Sequence, residues 1–350
     1  MKDLKYLSAY IVPLFCIIGI TYRETWLFLT PFIIFIIVPL VELWMPSLKS
    51  NLTEEEKESK IKNSFFDVLL WLNVPIIFGT LFYGLYSYST QSYETYEMIG
   101  LVFSLGIVAG SNGINVAHEL GHRQETWERF LGKLLLLPSL YMHFYIEHNY
   151  NHHLKAATPE DPASARYNEN LYAFWLRSVT TQYTSSWKIQ NRLNKAAGRS
   201  FLSLKNDMFW YTIVQISYLL FIGFIFSWST MFIALGIAFV GFSLLEIINY
   251  LEHYGLRRAK KKSGRYELVR EIHSWNSNHA LGRILLYELT RHSDHHYRAN
   301  KKYQLLDYHD VSPQLPYGYP TMMVIATIPP LWFSIVNKYV PEEMVALSKV

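Results

Sequence analysis

The chain has 350 residues, of which 51% are hydrophobic, 16% aromatic and only 17% charged, with a formal net charge of +4. Soluble proteins average about 25% charged residues, and a mean hydropathy of just +0.08 means that long apolar runs alternate with sizeable polar segments. The single Cys16 lies in an apolar run, which excludes an internal disulfide and argues against a thiolate metal site. Basic residues follow the apolar runs and form no separate basic domain, so nucleic-acid binding is not expected.

The run 6–20 follows Lys2 and Lys5 like a signal peptide, but no small-x-small cleavage site follows it. A second run, 26–45, begins almost at once, and the two read as a retained helical hairpin. After a Lys/Glu-rich segment at 47–63, the runs 65–88 and 96–117 make a second hairpin, and 209–228 with 231–251 a third. Each run suits a hydrocarbon core of about 30 Å. The expected fold is all-α, one polytopic domain over 1–350 with six transmembrane helices in three hairpins. Placing the N-terminus inside leaves Arg23 as the only Lys or Arg on the far side, as the positive-inside rule asks. Both termini and the regions 118–208 and 252–350 are then cytoplasmic, in an inner membrane. Two shorter apolar stretches, 131–145 and 321–336, read as buried or interfacial helices, the second broken by Pro329-Pro330.

The polar segments are organised around histidine. Of thirteen histidines, nine fall in four places: His118 and His122; His148, His152 and His153; His253 alone; and His292, His295 and His296. Residues four apart share a helix face, with Cβ atoms roughly 5–6 Å apart, so the i, i+4 pairs can bind one metal or two neighbouring metals. An adjacent His-His points its rings about 100° apart and can address two metals. Imidazole suits iron, copper, zinc and nickel alike, so the ligands alone leave the metal open. Glu119, Glu147, Asp161, Glu252 and Asp294 accompany the clusters, and ligating histidines usually donate their second N–H to such carboxylates. Glu246, inside the sixth span, is costly in hydrocarbon and so a functional candidate. His143, His273 and Asn276 are candidates for supporting roles, with His279 beside them, whereas His309 lies in a polar tail and reads as ordinary.

His118-Glu-Leu-Gly-His122 also matches His-Glu-x-x-His, the zinc-protease motif in which the glutamate is a general base. One zinc would leave seven clustered histidines superfluous. A histidine-rich transporter would place ligands at mid-membrane rather than at cytoplasmic helix ends.

The stretches Asn115-Val-Ala-His-Glu-Leu-Gly-His122, His143-Phe-Tyr-Ile-Glu-His-Asn149, Ala157-Thr-Pro-Glu-Asp-Pro-Ala163, Asn249-Tyr-Leu-Glu-His-Tyr-Gly-Leu256, His273-Ser-Trp-Asn-Ser-Asn-His279 and Leu289-Thr-Arg-His-Ser-Asp-His-His296 resemble the membrane-bound alkane 1-monooxygenases of the fatty-acid desaturase/hydroxylase superfamily. The likeness runs from the second span to Tyr317-Gly-Tyr-Pro320, and His148-x-x-x-His152-His153 has the hydroxylase form rather than the desaturase His-x-x-His-His. The resemblance implies a non-haem di-iron centre bound by the nine histidines, O2 as co-substrate, and terminal hydroxylation of medium-chain n-alkanes to primary alcohols. It also implies electrons from rubredoxin, itself reduced by an NADH-dependent rubredoxin reductase. With one cysteine the chain holds no fused Cys-x-x-Cys rubredoxin module, so that donor is expected to be separate. Within the superfamily, an aromatic-methyl monooxygenase, an acyl desaturase or hydroxylase and an alkene-forming decarboxylase remain alternatives. A terminal methyl offers nothing polar to grip, so selectivity would come from an apolar channel, with Ile34, Phe35, Ile37, Val38, Leu70 and Phe103 as candidate lining. Arg257, Arg258, Lys260, Lys261 and Lys262 would steer an acidic rubredoxin or meet anionic lipid.

Overall fold

The computed structural model describes residues 2–348, and among these the only β pairing is three isolated bridges. In chain order, α1 (Asp3–Tyr22) and α2 (Glu24–Glu42) precede the short polar α3 (Glu54–Ile61), then come α4 (Phe65–Thr90) and α5 (Thr95–Gly121). Next are α6 (Thr126–Leu135), α7 (144–155), α8 (Leu171–Ala196), α9 (Asp207–Ile225) and α10 (Trp228–His253). Five short helices complete the chain: α11 (Ala280–Leu285), α12 (His292–Tyr297), α13 (Tyr319–Ala326), α14 (Pro329–Val336) and α15 (Glu342–Leu347). Of all these, α1, α2, α4, α5, α9 and α10 are long and apolar enough to cross a membrane, the six expected.

Two spans run past their apolar sequence. Helix α5 continues to Gly121 and so carries His118, and α10 continues to His253. Helix α8, 26 residues long, was not expected at all, because its sequence mixes Arg, Ser, Thr and Gln with its apolar residues. The stretch 131–145 is only partly helical: α6 stops at Leu135, and the chain turns through Leu140 at φ 51°. Pro329 and Pro330 open α14 rather than kinking one long helix, the place where a missing N–H costs nothing.

Cα packing divides the chain into two compact units: residues up to Ile37 with Ser64–Ile146 and Thr184–Leu245, and Val38–Asn63 with Glu147–Tyr183 and everything from Glu246. In the first unit the spans are tied by the few polar groups they contain. Asn112 donates to Asn73 Oδ1 at 3.0 Å and to the Ala9 carbonyl at 3.1 Å, while Asn73 donates to the Leu69 carbonyl at 2.8 Å. One buried amide pair thus joins α1, α4 and α5, where unmet polar groups would each cost several kcal/mol. Arg23, between α1 and α2, is ion-paired to Glu97 of α5 at 3.0 Å. The same unit buries Arg123 between Asp67 (3.0 Å) and Glu119 (3.1 Å), fixing the end of α5 against the start of α4.

In the second unit, fully buried Arg291 donates to the carbonyls of Leu306 (2.6 Å), Ser50 (2.9 Å) and Leu48 (3.2 Å). It thereby anchors the start of α12 to the segment after α2. Asp307 takes Lys57 of α3 at 3.0 Å and Lys301 at 2.6 Å.

Removing one partner of a buried charge cluster leaves the others uncompensated, at a cost of about 3–5 kcal/mol. Arg123→Met is therefore expected to lower the thermal unfolding midpoint in detergent, and adding Asp67→Asn should recover part of the loss. An unchanged midpoint would show that the Asp67, Glu119 and Arg123 cluster contributes little.

Candidate metal centre

The second unit brings seven of the nine histidines together. Helix α7 is built from three consecutive segments, Phe144–Glu147, His148–His152 and His153–Lys155, of which the middle one is a π turn. Its signature bond runs from the His153 N–H to the His148 carbonyl, five residues back rather than four. The turn changes the expected pairing. In an α-helix His148 would share a face with His152; here its partner is His153, with ring centroids 4.4 Å apart and Nε2 atoms 2.9 Å apart. His152 points elsewhere, its Nε2 3.1 Å from that of His296. Helix α12 keeps the α spacing, and His292 pairs with His296 at 4.4 Å.

Two groups of ligand atoms follow. One ring nitrogen from each of His152, His253, His292 and His296 lies within 4.8 Å of the others, and so does one from each of His148, His153 and His295. Each box therefore divides: α7 gives two rings to one group and one to the other, and α12 does the reverse. In the first unit, His118 and His122 keep their expected pairing, rings 5.3 Å apart, with Phe144 6.2 Å from His118.

The charge state of these rings decides what they can hold. Burial, with His292, His153 and His152 close by, pushes His296 well below the usual histidine range. His152 donates Nδ1–H to Asp161 at 2.9 Å, the geometry in which the neutral ring turns Nε2 inward as its acceptor. Burial alone would raise the Asp161 carboxyl, but His152 and the Ser164 hydroxyl hold it low, so it is ionised and fixes that tautomer. His253 likewise turns Nδ1 to the His273 carbonyl at 3.4 Å and presents Nε2 to His292 Nε2 at 3.2 Å. Lone pairs converging on one another, with too few protons between them, are the donor set that a metal cation satisfies. The residues present fit bound metal.

The carboxylates sort differently from expectation. Asp161 takes the outer N–H of His152 in the expected manner. Glu252 instead meets His292 on its Nε2 side at 3.1 Å, steadied by the Tyr319 hydroxyl donating at 2.9 Å. Glu147 accepts from the Asn151 amide one turn along α7. Asp294 accepts from Lys301 (2.6 Å), the Asp307 N–H (2.8 Å) and His309 (2.8 Å). His309, read from sequence as ordinary, is thus part of the support of α12. Glu119 is held by Arg123, which weakens the protease reading, since a general base needs its carboxylate directed at a metal-bound water. Glu246 accepts from Gln182 at 2.9 Å inside the second unit.

The supporting residues are placed as follows. Asn276 bonds Ser293 twice, through Nδ2 to Oγ (2.6 Å) and through Oδ1 from N–H (2.8 Å), and so clamps the first turn of α12. His273 faces Glu267 at 3.3 Å and takes the Arg270 N–H at 2.9 Å. His143 is fully buried with its ring 4.2 Å from Tyr141, and burial pushes it down to about 3. His279 meets the Ser277 hydroxyl at 3.0 Å. Arg257 and Arg258 are not surface charges: both are buried, and Arg258 donates to the carbonyls of Glu267 and, at 2.8 Å, Leu154. Lys260, Lys261 and Lys262 are exposed, as are Arg265 and Arg270.

Residues 95–326 match the model of the fatty acid desaturase family. Alkane 1-monooxygenase 1 of Pseudomonas aeruginosa is 37% identical over 314 residues, covering 89% of this chain and 82% of that protein. An alkane 1-monooxygenase of Acinetobacter baylyi is 38% identical over 89% of this chain and 76% of its own. A xylene/toluene monooxygenase hydroxylase component of Pseudomonas putida is 24% identical over 97% and 89%. With six apolar spans, histidine groups that fit metal, and these relatives, the chain belongs to the fatty acid desaturase family, as an integral membrane oxidoreductase of its alkane 1-monooxygenase group.

Proposed function

We propose that this chain hydroxylates the terminal carbon of medium-chain n-alkanes at two irons held by His118, His122, His148, His152, His153, His253, His292, His295 and His296. The observation that carries the reading is the pair of interleaved groups of converging imidazoles, most of them buried, on a chain whose relatives are alkane 1-monooxygenases. Bound iron would supply the activation of dioxygen, one alkane, one dioxygen, two electrons and two protons giving one primary alcohol and one water. The chain's own residues orient the rings: Asp161 and the His273 carbonyl fix two tautomers, Asn276 fixes the turn bearing His292, and the Glu252 carboxyl stands beside the His292 ring.

The substrate has no polar group, so apolar walls would set its reach. Ile34, Phe35, Ile37, Val38, Leu70 and Phe103 are the proposed lining; Val38 and Leu70 are buried, while Phe103 is 47% exposed. Both termini and all the histidines would face the cytoplasm across an inner membrane, the 350 residues acting as one domain. There a separate, acidic rubredoxin, reduced by its NADH-dependent reductase, would meet the exposed cations of the loop after α10: Lys260, Lys261, Lys262, Arg265 and Arg270. The likeness to the xylene/toluene enzyme favours an aryl methyl as the second candidate substrate.

Purified protein supplied with octane, dioxygen, rubredoxin and reductase is expected to contain two irons per chain and to form 1-octanol. Two irons with no alcohol would redirect the assay to xylenes and fatty acids. One zinc and no oxygen uptake would overturn the proposal. Asp161→Ala frees the His152 ring and is expected to weaken metal retention about 10–100-fold, measured as iron lost to a graded chelator. Equal retention would show that His152 needs no orienting partner. Reversing Lys260, Lys261 and Lys262 to Glu should raise the KM for rubredoxin at least about tenfold and flatten its salt dependence, with turnover on a small chemical reductant unchanged.

A further inference from the structure

The two His-His boxes have different spacings, yet they present the same arrangement of rings. In α12, with spacing His-x-x-His-His, the outer pair His292–His296 has centroids 4.4 Å apart at 73°, and the adjacent pair His295–His296 lies at 5.8 Å. The remaining pair, His292–His295, lies at 5.8 Å and 27°. In α7, with spacing His-x-x-x-His-His, the outer pair His148–His153 has centroids 4.4 Å apart at 76°. Its adjacent pair His152–His153 is at 6.0 Å, and His148–His152 at 5.4 Å and 30°. One extra residue and one widened turn cancel.

We infer that the box on α7 is the same ligand frame as the box on α12 with one residue added, and that the π turn at His148–His152 is the positioning element that absorbs it. An α turn repeats in about 3.6 residues, so adding a residue would rotate everything after it by about 100°. The π bond from the His153 N–H to the His148 carbonyl takes up that residue locally. The flanking segments Phe144–Glu147 and His153–Lys155 then keep the phase of one continuous α-helix. Without the π turn, His148 and His152 would fall on one face and both would serve one metal group. The exchange between boxes, two rings to one group and one to the other, would be lost.

The added residue is then dispensable for ligation. Among the three between His148 and His152, Tyr150 is 43% exposed, whereas Asn151 is buried and bonded to Glu147. Deleting Tyr150 converts the box to His-x-x-His-His, which an ordinary α turn folds into the same frame. The inference rests on the histidines binding metal but not on which substrate is oxidised.

The test is metal stoichiometry of full-length protein in detergent, loaded with iron or with cobalt, whose visible bands report ligand geometry without any turnover. Deletion of Tyr150 should keep the wild-type metal count and the wild-type cobalt spectrum. Deleting Asn149 and Tyr150 together leaves His-x-His-His, which neither turn can frame, and should lose at least one metal per chain. If the Tyr150 deletion does not fold, deletion of Asn149 creates the same spacing and replaces it. Loss of metal or of folding in both single deletions would overturn the inference, as would a single deletion behaving like the double. A wild-type chain that bound neither iron nor cobalt would overturn the metal reading itself, together with the frame built on it.

Discussion

Packing seven imidazoles against one another away from water is the constraint that the second unit serves. Ring centroids within that cluster lie as close as 4.4 Å, and burial keeps His296 from carrying a proton. Protonated rings at such distances would repel, and neutral rings facing lone pair to lone pair gain nothing from each other. The arrangement becomes favourable when cations take up the lone pairs. The polar contacts around it are those needed to hold rings in place against that tendency to spread. Arg291 ties α12 to the chain after α2 through three carbonyls, Asn276 clamps its first turn, and Asp294 gathers Lys301, His309 and the Asp307 N–H at its middle.

Charge is distributed economically around that cluster. Asp161 is ionised at the outer edge of one ring, and Glu252 stands beside the inner nitrogen of another. Of the remaining acidic groups, Glu119 pairs with Arg123, Glu147 accepts from the Asn151 amide and Asp294 accepts from Lys301.

Much of this was legible in the sequence because it depends on composition or on residue type. Six apolar runs must become helices in a membrane, since every backbone N–H and C=O has to be met inside the segment. Histidines gathered at four places are too many for ordinary surface polarity, and seven of the nine come together in the second unit. What was not legible depends on how a turn is wound or on which way a charge points. The extra residue in His148-x-x-x-His152-His153 does not by itself say that the turn widens to hold it, because the bond that defines a π turn joins backbone atoms. Arg257 and Arg258 look like the head of a basic surface run, yet both guanidiniums are buried. Glu119, the proton acceptor of a zinc-protease motif on paper, is ion-paired to Arg123, four residues on, a partner that the motif does not include. Helix α8 lacks the long apolar run that identifies a span, so nothing in its composition separates it from the polar segment around it.

The reciprocal division of the two boxes has a consequence for assembly. Each of α7 and α12 contributes to both ligand groups, so neither group can form while the other helix is out of place. Displacing α7 removes His148 and His153 from one group and His152 from the other; displacing α12 removes His295 from the first and His292 and His296 from the second. Two independent sites, each built from one helix, would fill one after the other. Interleaved groups would make any bound metal a tie between the same two helices, so that a first ion would pre-organise the rings of the second group and lower the ordering cost of filling it. The wide turn in α7 and the regular turn in α12 are two backbone solutions to that single geometric demand.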